Sequence, residues 1–262
     1  MKHQLPEKQI KLENYQTVYL EAGNANQSET ILFLHGWTIA TAPYQEFLHL
    51  LSQQYHVIAP DLPGFGKTSF PNSVPDYNGY VECIVSFLTA LNLKKVHVVG
   101  HSGGGAVGIV LAATFPTLVK SLVLIDSTGI PLGFLPKVAI RRLIDFPAQI
   151  GRFKFEPTML FMKALISNWI FKTKNMFQAS WIALEKDLRP LLPQIQCPTL
   201  IVWGDRDLFV PVKCAYEFSQ GIPQSQLIML EDEYHEWIFY HEQKCKNIVS
   251  SFIDEVERSQ TK

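Results

Sequence analysis

The chain has 262 residues, 47% of them hydrophobic and 18% charged, with a formal net charge of −1 at pH 7. That length fits one large α/β domain or two small ones, and the apolar content is enough for a sizeable core. The near-neutral balance excludes a global pull toward nucleic acid or acidic membranes. The four cysteines, Cys83, Cys197, Cys214 and Cys245, are far apart and form no Cys-x-x-Cys pair. They read as free thiols in a reducing compartment, not as a metal site or a disulfide framework. The N-terminal stretch Met1 to Lys8 has no apolar h-region, and no apolar run approaches the ~20 residues of a membrane span. The expectation is a cytoplasmic protein without an integral membrane segment, nucleic-acid partner, metal or cofactor.

In chain order, two mixed runs at residues 9–12 and 17–22 are joined by Glu13-Asn14-Tyr15-Gln16. They predict an antiparallel hairpin at a sheet edge. Further strand-like runs fall at residues 30–34, 56–59, 95–99, 121–125, 199–202 and 226–230. The inner ones, such as Ile31-Leu32-Phe33-Leu34 and Val123-Leu124-Ile125, are apolar without alternation, as strands buried on both faces are. Helical patterns lie between them at 44–53, 77–91, 103–115, 211–220 and 237–257. This alternation predicts an α/β fold with a mostly parallel central sheet of about eight strands, flanked by helices.

The alternation breaks after the sixth strand. Residues 131–190 hold no convincing strand but many aromatics, Phe134, Phe161 and Trp169 among them. Prolines at 136, 147, 157 and 190 predict that the segment is cut into short helices. The domain reading is a core of 1–130 and 191–262 with a helical cap of 131–190. The cap carries ten basic residues against four acidic ones, a net +6 in a chain of net −1. It fits either a helical layer kept soluble by its lysines or a lid over an apolar pocket, with a rim that attracts anionic groups.

The chemistry centres on Gly100-His101-Ser102-Gly103-Gly104, directly after the apolar run Val96 to Val99. A Gly-x-Ser-x-Gly pattern between a strand and a helix places the serine on a sharp turn with its hydroxyl exposed. Positions two before and two after the serine must be small. By itself the pentapeptide also fits a plain glycine-rich turn. A serine hydroxyl needs a general base within hydrogen-bond reach, and the base needs an orienting group. Downstream, Asp205 and Asp207 follow the run ending at Gly204. His235 is the only histidine between the last strand and the last helix. His241 reads as a surface position inside that helix.

With these motifs the chain resembles the α/β-hydrolase superfamily over nearly its whole length, in particular its serine-nucleophile carboxylesterase or lipase-like branch with a helical cap. The resemblance implies Ser102 as nucleophile, His235 as base and Asp207 as acid. Asp207 stands three residues after the strand-ending glycine and shortly before Val210-Pro211. Asp126, after another strand, is the reserve. The His35-Gly36-Trp37 loop matches the family's His-Gly-x loop, so the backbone N–H groups of Trp37 and Gly103 would form the oxyanion hole. Asp61 to Thr68 matches a structural turn of the family. Tyr234 departs from the family's common glycine before the histidine. His101, Phe134, Phe161 and Trp237 are the expected pocket residues.

A serine at the elbow argues against relatives that use aspartate there, the haloalkane dehalogenases and epoxide hydrolases. The implied activity is hydrolysis of carboxylic esters with an apolar, medium-length acyl group. Three alternatives stand beside it. Carbon–carbon bond hydrolases of ring-cleavage diketones share the triad, and Trp237 is reminiscent of them, although they usually carry Asn where His101 stands. Short segments are also similar to esterases acting on acyl-carrier-protein methyl esters, for which an anionic carrier or head group would suit the basic cap. A ligand receptor on the same fold is the third.

Overall fold

Eight strands form one sheet in the order β1-β2-β4-β3-β5-β6-β7-β8. The computed structural model describes residues 4–24, 29–70, 74 and 76–260, so Met1, Lys2 and His3 of the N-terminal reading lie outside it. β1 (Glu7–Lys11) and β2 (Gln16–Ala22) make the antiparallel edge hairpin expected from the sequence. β2 also pairs antiparallel with β4. β3 (Thr30–Leu34), β4 (His56–Pro60), β5 (Val96–His101), β6 (Val119–Ile125), β7 (Thr199–Gly204) and β8 (Ser225–Leu230) run parallel.

The unbroken apolar runs of the inner strands feed two cores at once, because successive side chains point to opposite faces. Leu32, Leu34, Val98, Leu122, Leu124 and Trp203 join one core. Ile31, Phe33, Val99, Val123, Ile125 and Val202 join the other. The second core is closed by α1 (Gln45–Ser52) and α8 (Glu242–Gln260). The first is closed by α2 (Tyr77–Ala90), α3 (Gly103–Thr114) and α7 (Lys213–Gly221). α2 starts where Asp76 accepts a hydrogen bond from the Gly79 N–H at 3.0 Å, satisfying one of the free donors of the first turn. α3 is apolar all round and buried through most of its length, as its position beneath the site requires.

Between β6 and β7 stand α4 (Leu135–Ala148), α5 (Phe155–Phe171) and α6 (Thr173–Glu185). These are longer than the short pieces read from the prolines. Pro136 and Pro157 sit in first turns, where the missing N–H has no helical partner anyway, and Pro147 sits in a last turn. The final helix also differs from expectation. A 3-10 turn at Trp237–Phe239 precedes α8, so His241 stands at the start of the helix and not inside it. Its Nδ1 lies 2.7 Å from Glu233 Oε1. Among the described residues, no helix is long and apolar enough to cross a membrane.

Candidate active site

The ends of four parallel strands bring the chemistry together. Ser102 follows β5, Gly36 and Trp37 follow β3, Asp207 follows β7 and His235 follows β8. This is the crevice beyond the carboxyl ends of the strands, where open α/β sheets place ligands. Ser102 has φ 51° and ψ −119°, a conformation that an ordinary side chain occupies only under constraint. Its N–H donates to Ile125 O at 2.9 Å, and its carbonyl accepts from Gly105 and Thr128 N–H at 3.1 and 3.0 Å. The turn closes only with glycine at its flanks. A Cβ on Gly104 would collide with the carbonyls of Leu34 and His35, and one on Gly100 with the Gly104–Gly105 backbone.

Ser102, His235 and Asp207 are all buried and lie in one hydrogen-bonded row. His235 Nε2 is 3.1 Å from Ser102 Oγ, and His235 Nδ1 is 2.7 Å from Asp207 Oδ2. With Nδ1 donating to the carboxylate, Nε2 is left to accept the serine proton. Asp207 Oδ1 accepts from Val210 N–H at 2.7 Å, which fixes the carboxylate. Burial opposes a charge on His235, but Asp207 outweighs it and raises the imidazole to about 9. Asp126, the reserve acid, faces elsewhere: its two oxygens accept from Gly204 N–H and Trp237 Nε1–H at 2.9 and 2.6 Å. Burial and the charge of Asp207 push its carboxyl well above the usual range.

The loop after β3 is pinned on both sides. His35 Nδ1–H donates to Gly36 O at 2.7 Å, and His35 Nε2 accepts from Leu62 N–H at 2.8 Å. Asp61 accepts from Thr41 N–H and Oγ1–H and from Lys67 N–H, at 2.7 to 2.9 Å. Gly64 and Gly66 take φ +81° and +52° in the same turn. Gly36 packs against Ser102, and the Trp37 ring packs against Gly103. Gly103 is the first residue of α3, so its N–H has no helical acceptor. Among the described residues, neither the Trp37 nor the Gly103 N–H has a recorded partner in the chain.

His101 is a buried wedge between these parts. Its Nδ1 accepts from Tyr44 O–H at 2.7 Å, and its Nε2–H donates to His235 O at 3.2 Å. Burial and the neighbouring His235 lower its pKa to about 3, so it stays neutral. Tyr44 also accepts from Gly36 N–H at 3.2 Å. Tyr44 thus links the Gly36–Trp37 loop through His101 to His235, a connection no local motif signals, since it spans 57 residues to His101.

A cavity of ≈ 330 Å³ opens beside Ser102 and His235. Gly36, Trp37 and His101 form its floor, and Leu135, Val138, Phe161, Leu165 and Trp169 of the insertion form its roof. Of the four expected pocket residues, His101 and Phe161 line it. Phe134 does not: it precedes α4 and is 76% exposed. Trp237 does not either: it is buried behind the site, with its indole spent on Asp126.

Arg142, counted above among the basic cap residues, turns inward and lines the cavity. It is ion-paired with buried Glu236 and lies 3.4 Å from Asp145. Gln149 joins the cluster by donating to Asp145 Oδ2 and Glu236 Oε2 at 2.8 and 2.6 Å. Asp145 in turn accepts from Leu208 N–H at 3.1 Å. Burial raises the Asp145 carboxyl to about 6, whereas Arg142 and His235 outweigh burial at Glu236 and lower it to about 2. Arg152, Lys154 and Arg189 of the cap are also ion-paired. One group of metal-type ligands exists among the described residues, Glu29, His97 and Glu257. The Lys120 ammonium bonds both carboxylates, so the group is an ion-pair network.

The family model described as "Alpha/beta hydrolase family" matches residues 31–246. The chain belongs to that family. Among α/β hydrolases, Lipase 1 of Psychrobacter immobilis is 32% identical over 239 residues, covering 83% of this chain and 74% of the lipase. The 2-hydroxy-6-oxo-6-(2'-aminophenyl)hexa-2,4-dienoic acid hydrolase of Metapseudomonas resinovorans is 26% identical, covering 91% and 87%. The crystal structure of a putative lipase from Acinetobacter baumannii AYE superposes with a TM-score of 0.84 at 27% identity, covering 97% of this chain and 93% of that one.

Proposed function

We propose that this α/β hydrolase is a serine esterase for carboxylic esters with an apolar acyl group. The observation that carries the reading is the Ser102–His235–Asp207 row at the floor of an apolar cavity. Ser102 Oγ attacks the ester carbonyl while His235 Nε2 takes its proton, and Asp207 stabilises the imidazolium. The N–H groups of Trp37 and Gly103 receive the oxyanion. His235 then protonates the departing alcohol. In the second half a water gives its proton to His235 and attacks the acyl-enzyme, and His235 returns the proton to Ser102 Oγ as the acid leaves. The cavity lies at the small end of the ~300–1,000 Å³ range of ligand pockets, which favours medium-length over long acyl chains. The similarity to Lipase 1 supports the same class.

A carbon–carbon hydrolase is the second reading, favoured by the similarity to the dienoic acid hydrolase. Its substrate bears a carboxylate and calls for a cation in the pocket. Arg142 is the cation lining this cavity, and Glu236 and Asp145 already neutralise it. This weighs toward the ester. An anionic carrier or head group on the substrate would meet the outer rim of the cap, where Lys163 and Lys174 are exposed.

The test is labelling with a fluorophosphonate, followed by a p-nitrophenyl ester series of rising chain length. Wild type should label and turn over, with an optimum at medium chains, and Ser102→Ala should do neither. Absence of labelling in wild type overturns the serine-enzyme reading. Labelling without ester turnover, but with cleavage of a diketone, moves the assignment to carbon–carbon hydrolysis.

A further inference from the structure

The cap turns an apolar face to solvent. Fifteen of the eighteen exposed large apolar side chains among the described residues lie between Phe134 and Trp181. On α5 they include Phe155, Met159, Met162, Ile166 and Ile170. Their spacing of three and four residues is one continuous stripe of a helix. Phe155 is 84% and Ile170 63% exposed, so the stripe is a surface and not the margin of a core.

The opposite side of α5 does the packing. Phe161 and Leu165 line the cavity, and Asn168 bonds the Thr38 and Ile39 carbonyls and the Gly66 N–H. An α-helix apolar on both sides belongs in an apolar medium on both sides. The outer surface continues onto α6, where Phe177 packs edge-on against Trp169 with ring centroids 5.7 Å apart. On its other flank, Ile150 shares a groove with Phe155, Met159 and Met162.

Charge decides what this face fits. Lys163 on α5 and Lys174 on α6 are exposed beside the stripe, and Lys137 is exposed on α4. Of the four cap acids, Asp145 is buried on the inner side of α4 and Asp187 is held by Arg189, which leaves Glu156 and Glu185 against the exposed Lys137, Lys163 and Lys174. An apolar stripe edged by cations is the composition of helices that lie in a membrane interface and attract anionic lipids. A second copy fits less well, because a two-fold contact would set the same lysines against each other.

We infer that the outer face of α5, with the adjoining parts of α4 and α6, docks on a lipid surface carrying anionic headgroups. The inference extends the ester-hydrolase reading. Leu135 and Trp169 are exposed and also line the cavity beside Ser102, so an acyl chain leaving the lipid would meet the site at this face.

Docking is measured apart from catalysis, by flotation of the Ser102→Ala protein with vesicles. The protein should float with phosphatidylcholine–phosphatidylglycerol vesicles mixed two to one, weakly with phosphatidylcholine alone, and less as salt is raised. Ile166→Glu/Ile170→Glu should lower the partition coefficient by about tenfold or more. Neither residue lines the cavity, so in the Ser102 background the pair should hydrolyse a soluble short-chain ester at the wild-type rate.

Failure of the Ser102→Ala protein to float, or equal flotation of the Glu pair, overturns the docking. Equal flotation with both vesicle types overturns the anionic requirement. A solution dimer that the Glu pair dissolves, without vesicle binding, assigns the face to a second copy and overturns the lipid. Flotation of the Ser102→Ala protein, together with a wild type that hydrolyses no ester, upholds the docking and overturns the ester reading alone.

Discussion

Several buried carboxylates act on His235, Asp207, Glu236 and Asp126 among them, and only Asp207 is bonded to it. The two aspartates therefore give opposite mutational signatures. Asp207→Asn should lower kcat by roughly 10⁴-fold, the size seen when a triad aspartate loses its charge. In the proposed mechanism His235 acts as base only when neutral, so the rate should fall as pH drops below its pKa. Asp207 raises that pKa to about 9, and the rate should still be climbing above neutral pH. Removing the charge shifts this acid limb to lower pH. Asp126→Asn places an amide where both partners are donors, Gly204 N–H and the Trp237 indole. It should cost about 1–3 kcal/mol of stability and keep most of the rate. Full pH–rate profiles and urea melts of the two variants check both outcomes.

At this scale, sequence reasoning finds residues whose place is set locally, and little else. Ser102, Asp207 and His235 each stand in the first residues after a strand, and the strands were legible from their apolar runs. Tyr44 and Glu236 were missed because their partners, His101 and Arg142, are distant in the chain. Trp237 was read as a pocket residue from a resemblance to the carbon–carbon bond hydrolases and Phe134 from its aromatic character, and neither says which way a ring faces. One points behind the site and the other into solvent.

Among the elements, α4 has two sides that differ in what they touch. Val138, Arg142, Asp145 and Gln149 recur at steps of four, three and four and face inward, and three of the four are polar. Such a face cannot be called buried from hydropathy, so the sequence reading counted Arg142 only in the net charge of the cap. Arg142→Met leaves Glu236 buried without its cation. The expected loss is roughly 3 kcal/mol, the size of breaking a buried ion pair from one side. Adding Glu236→Gln should restore much of it, and denaturant melts of the single and double variants measure the difference. The β-elements were easier to read. All eight strands fall where the strand-like runs placed them, within two residues at each end. The prolines misled, because their effect depends on which turn of a helix they occupy.

On the scale of the whole molecule, the segment inserted between β6 and β7 bonds three of the four loops that build the site. Asn168 holds the Thr38–Ile39 backbone beside Trp37, Asp145 holds Leu208 beside Asp207, and Gln149 accepts from Glu236 N–H beside His235. Distance along the chain hides all three contacts from a sequence reader. Together they make the insertion and the catalytic loops one thermodynamic unit. Linkage then works in both directions: whatever a bound acyl ligand gains from a seated cap, the cap gains from the ligand. A non-hydrolysable ester analogue should therefore slow amide hydrogen exchange in α4 and α5 as well as in the loops around Asp207 and His235. Equal exchange with and without the analogue, at saturating concentration, would show that the two parts move independently. In this molecule the roof of the cavity is also the brace that keeps the loops of Asp207, His235 and Trp37 in register.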